Sequence, residues 1–267
     1  MSADPGLFGP TSVSWRVHRE TTVLFGGARA LLMHAAHPLV IAGATETGFY
    51  ERNPWRRLER TLYLTYTLTF GTRVEAEAAA ERINEVHRRV RGTDPVTGKP
   101  YEAMDPDLLL WVHACLVDSA LLFERLTVGR LALQDRERFH REQMAGAELL
   151  GLPRERIPPT VADLRAYIEA VVAGDDLVVS DASRRVAALV RTPPLEAEWR
   201  PVLRAVSWWA FGTLPPRLRT MYGVRWGPVR SAALLTSLAA LRVARPVIPR
   251  RFRWILPAQR AVARLAA

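Results

Sequence analysis

The sequence predicts an all-α protein of about ten helices, on three observations. Strong helix formers (Ala, Leu, Arg and Glu) dominate its 267 residues, and β-type alternation is scarce. Caps, prolines and glycines mark helix starts and stops along the chain. Between these marks apolar residues recur at helical spacing. At 49% apolar, the chain can bury a sizeable core as one large domain or two small ones. Without an internal repeat or a low-complexity linker, residues 1–267 read as a single globular helical domain. Thr192-Pro193-Pro194 is the weakest boundary candidate.

Taken in order, Ser14 to Ala35 reads as a first helix, kinked at the isolated pair Gly26-Gly27. Pro38 disfavours helix at His37. A second helix spans Pro54 to Phe70. Thr72-Arg73-Val74-Glu75 is a capping box directly after Gly71, and Gly92 stands where a C-terminal glycine belongs, which predicts a helix of about 19 residues. Thr93 to Pro100 is a turn-rich connection. Asp105-Pro106-Asp107 supplies a cap, a first-turn proline and an acid suited to the dipole, opening a helix to about Leu126. Another runs from Gln134 to Leu150 and stops at Gly151-Leu152-Pro153. Thr160 and Asp181 cap two more, the latter after the extended piece Leu177 to Ser180. Glu198 to Phe211 and Pro228 to Ala244 complete the set.

Composition narrows the function classes. Cys115 is the lone cysteine, so no internal disulfide can form, which fits a reducing compartment. No Cys-x-x-Cys-His run is present for covalent haem attachment. Met1 to Pro10 does not read as a signal peptide. The weakly polar stretch Ser231 to Leu241 falls short of the roughly 20 residues a bilayer span needs. The expectation is a soluble, cytoplasmic protein. The net charge of +10 is unevenly placed: from Trp199 to Ala267 there are 13 arginines and no acid. That segment, 199–267, interleaves Arg with Val, Ile, Leu and Trp254, so weak contact with a membrane surface is one reading. A helix pair folded back on the body is the other. No nucleic-acid partner is expected, because no recognised binding motif accompanies the charge.

No nucleophile elbow, phosphate loop or dinucleotide fingerprint occurs, so the histidines carry the chemistry. His87 has Ile83 four residues before and Val90 three after, beside an apolar stripe. Its residues alone admit a core-edge histidine bonded to a carbonyl, or an axial ligand to haem iron. His113 sits similarly between Leu109 and Leu116 and reads as structural or as support for a cofactor. Glu137-x-x-His140 matches the di-iron bundle unit, but such bundles need two copies and no second exists. Arg57, Arg60 and Thr61 share a helix face that is either a solvated basic surface or, since Leu62 to Phe70 is nearly uncharged, the mouth of a pocket.

Several blocks, in order, resemble a known family. They are Arg29-Ala30-Leu31-Leu32-Met33-His34-Ala35-Ala36-His37-Pro38-Leu39-Val40, Asn53 to Leu62, Phe70-Gly71-Thr72, Val86 to Gly92, Tyr101 to Pro106, Leu110 to Ala114, Gly151-Leu152-Pro153 and Leu214 to Arg219. Together they resemble the rubber oxygenases (latex clearing protein) and the mpaB-type oxygenases. The resemblance implies a haem b in a globin-like helical core, and oxidative chemistry with dioxygen on a small apolar, isoprenoid-like substrate. It puts the iron's axial ligand at His87 and a distal cluster at Arg57, Arg60 and Thr61. It matches Arg91 to a cofactor-binding arginine and leaves Glu46 as the acid/base candidate. Arg60 stands where the family has a lysine, and a guanidinium stays protonated, so ligation of the iron from that position is not expected. A haem sensor or carrier without turnover would use the same His87.

Overall fold

The computed structural model describes residues 4–45, 54–129, 131–192 and 197–266. The all-α expectation holds: the described residues are helical apart from short links and one two-stranded hairpin. The helices are α1 (Val13–His18), α2 (Thr21–Leu24), α3 (Gly26–Ala35), α4 (Pro38–Thr45), α5 (Pro54–Phe70), α6 (Arg73–His87), α7 (Pro106–Thr127), α8 (Leu133–Leu149) and α9 (Val161–Ala173). Then come α10 (Asp181–Arg191), α11 (Arg200–Gly212), α12 (Pro216–Met221), α13 (Pro228–Ala244), α14 (Arg250–Arg253) and α15 (Leu256–Ala266). Strands β1 (Arg91–Thr93) and β2 (Pro100–Glu102) pair antiparallel, with Gly92 opposite Tyr101.

The central element is α7. Its Trp111, Ala114, Cys115 and Val117 are buried against Leu32 and Met33 of α3, Leu164 and Ile168 of α9, and Ala210 and Phe211 of α11. Among the described helices α7 is long and apolar enough to cross a bilayer, but 67% of that apolar window lies inside the fold. Apolar residues all round make it a core helix. Asp105 caps it, accepting the Asp107 N–H at 2.8 Å. The capping box at Thr72 forms as expected, with both reciprocal bonds present.

Three boundaries differ from the sequence reading. The first helix is broken into α1, α2 and α3. Glu20 is extended at the first break, its carboxylate is 1% exposed, and Arg245 grips it through Nε at 3.0 Å and Nη2 at 2.8 Å. The backbone there pairs with Trp254, and Ile255 N–H donates to the Arg19 carbonyl at 2.8 Å. At the second break Gly26 presses on α7, where an added Cβ would lie 3.0 Å from the Ser119 carbonyl and from Phe123. The helix before Gly92 stops at His87 instead. Gly92 is needed in β1 because the Tyr101 hydroxyl lies 2.8 Å from where its Cβ would be. Last, Ser180 rather than Asp181 caps α10, through a box with Ser183. The bend between α2–α3 and α4, at His37-Pro38, is 105°.

The C-terminal helices fold back on the body. Leu234 and Leu238 of α13 pack with Phe123 and Trp209. Ala258 and Ala261 of α15 pack with Trp15, Tyr66 and Phe70.

Candidate functional site

The α5–α6 hairpin carries the predicted site. Leu64 and Leu68 of α5 pack on Ala76, Ala79, Ala80 and Ile83 of α6. Continued at three- and four-residue steps, this seam reaches Thr61 and Arg57 on one helix and His87 on the other. The helices run antiparallel from the turn at Gly71-Thr72. Arg57 is 14 residues before that glycine and His87 is 15 after that threonine. Each stretch spans about 21–23 Å of helix, so the two backbones end level.

The seam changes character along its length. Leu68 and Ala80 are buried, but Arg60 and Thr61 are exposed and His87 is half-buried. Large apolar side chains stay uncovered on the same two helix ends: Leu58 and Val86. His87 closes α6, and its carbonyl accepts the Val90 N–H at 3.0 Å. Val90 packs with Ala42, Tyr101 and Leu108, which ties α4, the hairpin and the start of α7 to this end. Gly43 allows that approach, since an added Cβ would sit 3.2 Å from Val90 Cγ1.

The remaining predicted residues divide. Glu46 lies outside the described residues, as does the Arg57 side chain. Arg91 is not on the helix of His87: it is the first residue of β1 and is exposed, because α6 ends before it. His113 lies midway along α7, its ring centroid 6.5 Å from that of His140. Burial, and then His140, pushes His113 down to about 3, so it stays neutral. Its Nε2 is buried without a hydrogen-bond partner.

His34 and His140 are tied to backbone carbonyls. His34 Nε2 donates to the Val112 carbonyl at 3.1 Å. His140 Nε2 donates to the Pro158 carbonyl at 2.7 Å, and Glu137 accepts the Val161 N–H at 3.2 Å. Both members of the Glu-x-x-His match therefore serve the start of α9. No group of three or more potential metal-binding side chains occurs among the described residues.

Sequence reasoning missed a cavity of about 440 Å³ between α3, α7, α8 and α9. Arg29, Leu121, Glu124, Arg136 and Arg165 are among its lining residues. Glu124 is 5% exposed, and burial raises its carboxyl to about 7 against the pull of nearby arginines. Its signal in the sequence was a lone acid among Ala120, Phe123 and Thr127 at helical spacing. Glu124 is 16 residues along α7 from Leu108, or about 24 Å of helix, so this cavity is remote from His87.

The residues at the α5–α6 end fit a haem. A half-buried imidazole ends a helical seam, and Leu58, Arg60 and Val86 are exposed on the same two helix ends. Together these features define an all-α protein whose candidate site is a helix-borne histidine beside an uncovered apolar face. Residues 15–248 match the family described as ER-bound oxygenase mpaB/B'/Rubber oxygenase, catalytic domain, and the chain belongs to that family. Two uncharacterized proteins, one from Mycobacterium bovis and one from Mycobacterium tuberculosis, are each 28% identical to it over 222 residues. The match covers 81% of this chain and 84% of each relative. No solved structure matches.

Proposed function

We propose that this oxygenase-family chain is a haem b-dependent oxygenase that acts on a small apolar molecule with dioxygen, and that His87 is the axial ligand of the iron. The observation that carries the reading is the α5–α6 seam, whose end holds a half-buried imidazole and the uncovered apolar side chains of Leu58 and Val86. Residues 1–267 would then form one haem-binding domain, working in the reducing interior of the cell and in weak contact with a membrane surface.

Bound haem supplies the dioxygen chemistry. The chain supplies the rest. His87 offers a ring nitrogen lone pair from a rigid helix end, which requires the neutral imidazole. A guanidinium only donates, so Arg57 and Arg60 would hold anionic groups of the cofactor or donate hydrogen bonds on the distal side. The Thr61 hydroxyl donates or accepts as the substrate pose requires. Glu46 accepts a proton at a carboxylate oxygen, and Arg91 holds a carboxylate at the cofactor's edge. His113, neutral in the core, supports the fold behind the site. The uncovered apolar side chains exclude water once covered, which strengthens the fixed charges around the substrate.

An absorption spectrum of purified protein, as isolated and after haem addition, tests the reading. A Soret band that His87→Ala loses, together with oxygen uptake in the presence of an isoprenoid, is the expected result. No Soret band, or full haem occupancy in His87→Ala, overturns it. A His87-dependent band without oxygen uptake would make the protein a sensor or carrier.

A further inference from the structure

We propose that the outward face of α13 and the arginine-rich run behind it dock this chain onto an anionic lipid bilayer. The proposal deepens the reading above, whose apolar substrate partitions into lipid, but its test requires no haem.

The charge is one-sided. From Trp199 on there are 13 arginines and no acid. Among the described residues only Arg217, Arg245 and Arg264 of these reach carboxylates, those of Asp175, Glu20 and Glu75. The others meet no carboxylate within salt-bridge distance among the described residues.

The surface of α13 does not suit water. Its inner side buries Leu234 and Leu238. Its outer side exposes Val229, Ala233, Thr236, Ala240 and Val243, steps of three and four that form one continuous stripe. No charged residue lies between Arg230 and Arg242. A helix apolar on both sides is normally covered on both sides, yet Val243 is 79% exposed. The pattern continues past the helix, where Val247 is 82% and Phe252 is 62% exposed. Arginines interleave with these residues. Arg250 lies 3.7 Å from the Trp254 ring centroid and Arg251 lies 4.9 Å from that of Phe252, so guanidinium groups sit against apolar faces.

This combination selects the occupant. A second copy of the chain would bring the same arginines and no acids to meet them. Nucleic acid would supply phosphates but leave the Val229–Val243 stripe uncovered. An anionic bilayer supplies both halves: headgroups for the guanidinium groups and an acyl boundary for the stripe.

Co-sedimentation of the full chain with vesicles tests the proposal. Binding to vesicles of about 30% phosphatidylglycerol in phosphatidylcholine is expected, with little to phosphatidylcholine alone. Raising salt to about 0.5 M should weaken it at least tenfold, because exposed charges are screened. Ala240→Glu with Val243→Glu, both on the solvent side, should weaken it about tenfold while circular dichroism stays unchanged. Arg250→Gln with Arg251→Gln should remove the preference for anionic lipid. Equal binding to both vesicle types overturns the proposal, as does no binding to either. A dimer by sedimentation velocity that the glutamate variants dissociate, with no vesicle binding, would assign the stripe to a second copy and also overturn it.

Discussion

His113 and His140 hold their rings 6.5 Å apart, centroid to centroid, from helices α7 and α8. His140 spends its Nε2 proton on the Pro158 carbonyl, which leaves Nδ1 as a buried lone pair without a partner. His113 Nε2 is buried likewise. Burial keeps the His113 ring neutral, and a cation there would lose its hydration without an anion in return.

Acid should therefore unfold the protein through its histidines. Burial holds His18 and His34 down to about 4, and His113 to about 3, against an unfolded value of 6.5. Below 6.5 the unfolded chain binds more protons, so stability is full above that pH and falls as pH drops toward 4. Each buried histidine contributes a slope of about 1.4 kcal/mol per pH unit in that window. Denaturant titrations between pH 7 and about 4.5 should show this slope, and His113→Leu should reduce it. An unchanged slope in the variant would contradict the assignment.

Glu124 predicts the opposite sign. Its carboxyl titrates near 7 in the fold, above its ordinary 4.5. Between those values the unfolded chain releases its proton first, so stability falls as pH rises and stays lowered above 7. Glu124→Gln should gain about 1–3 kcal/mol at pH 8. The gain should vanish near pH 4, which urea midpoints at the two pH values would show.

Two adjacent glycines should respond in opposite directions. Gly26→Ala sets a methyl against the Ser119 carbonyl of α7, a backbone atom that cannot swing aside. Overpacking of this kind costs about 1–3 kcal/mol. An added Cβ at Gly27 has nothing within 4 Å, and Gly27 also lies within α3. Gly27→Ala should stabilise by about 0.5–1 kcal/mol. Thermal melts of the two variants would separate these effects.

Arg60→Lys tests the distal side of the proposed haem. A guanidinium stays protonated and cannot bind iron, whereas an amine can lose its proton and do so. The expected outcome is a shifted Soret band in the haem-loaded variant and slower oxygen uptake. A spectrum identical to that of the parent protein would place residue 60 away from the iron.

Elements whose signals are local were legible in the sequence. Prolines fix the starts of α5, α7 and α13, and the Thr72 box fixes α6. Boundaries set by distant partners were not. Glu20 leaves the helix for Arg245, and Gly92, which has the residue type of a helix terminator, serves Tyr101 instead. Residues 57, 61 and 87 share one seam because they continue the helical steps of Leu64, Leu68 and Ile83, a spacing that the sequence alone displays. The place of Arg91 was not legible, because its four-residue spacing from His87 sets a shared helix face only where the helix continues, and the helix ends at His87. The Glu124 cavity was hidden because four helices meet there, and nothing in sequence order brings them together.

The Glu20–Arg245 pair joins residues 225 positions apart. Contacts of such long range form late, because a large loop must close before they return anything. During synthesis α1 to α3 therefore wait, unsealed, for a segment made 225 residues after Glu20. A segment made late is the latch for one made early. A chain stopped short of Arg245 would leave the buried Glu20 carboxylate with Arg19 alone, at 3.6 Å and without the paired hydrogen bonds, so quality control should act most strongly on truncated forms.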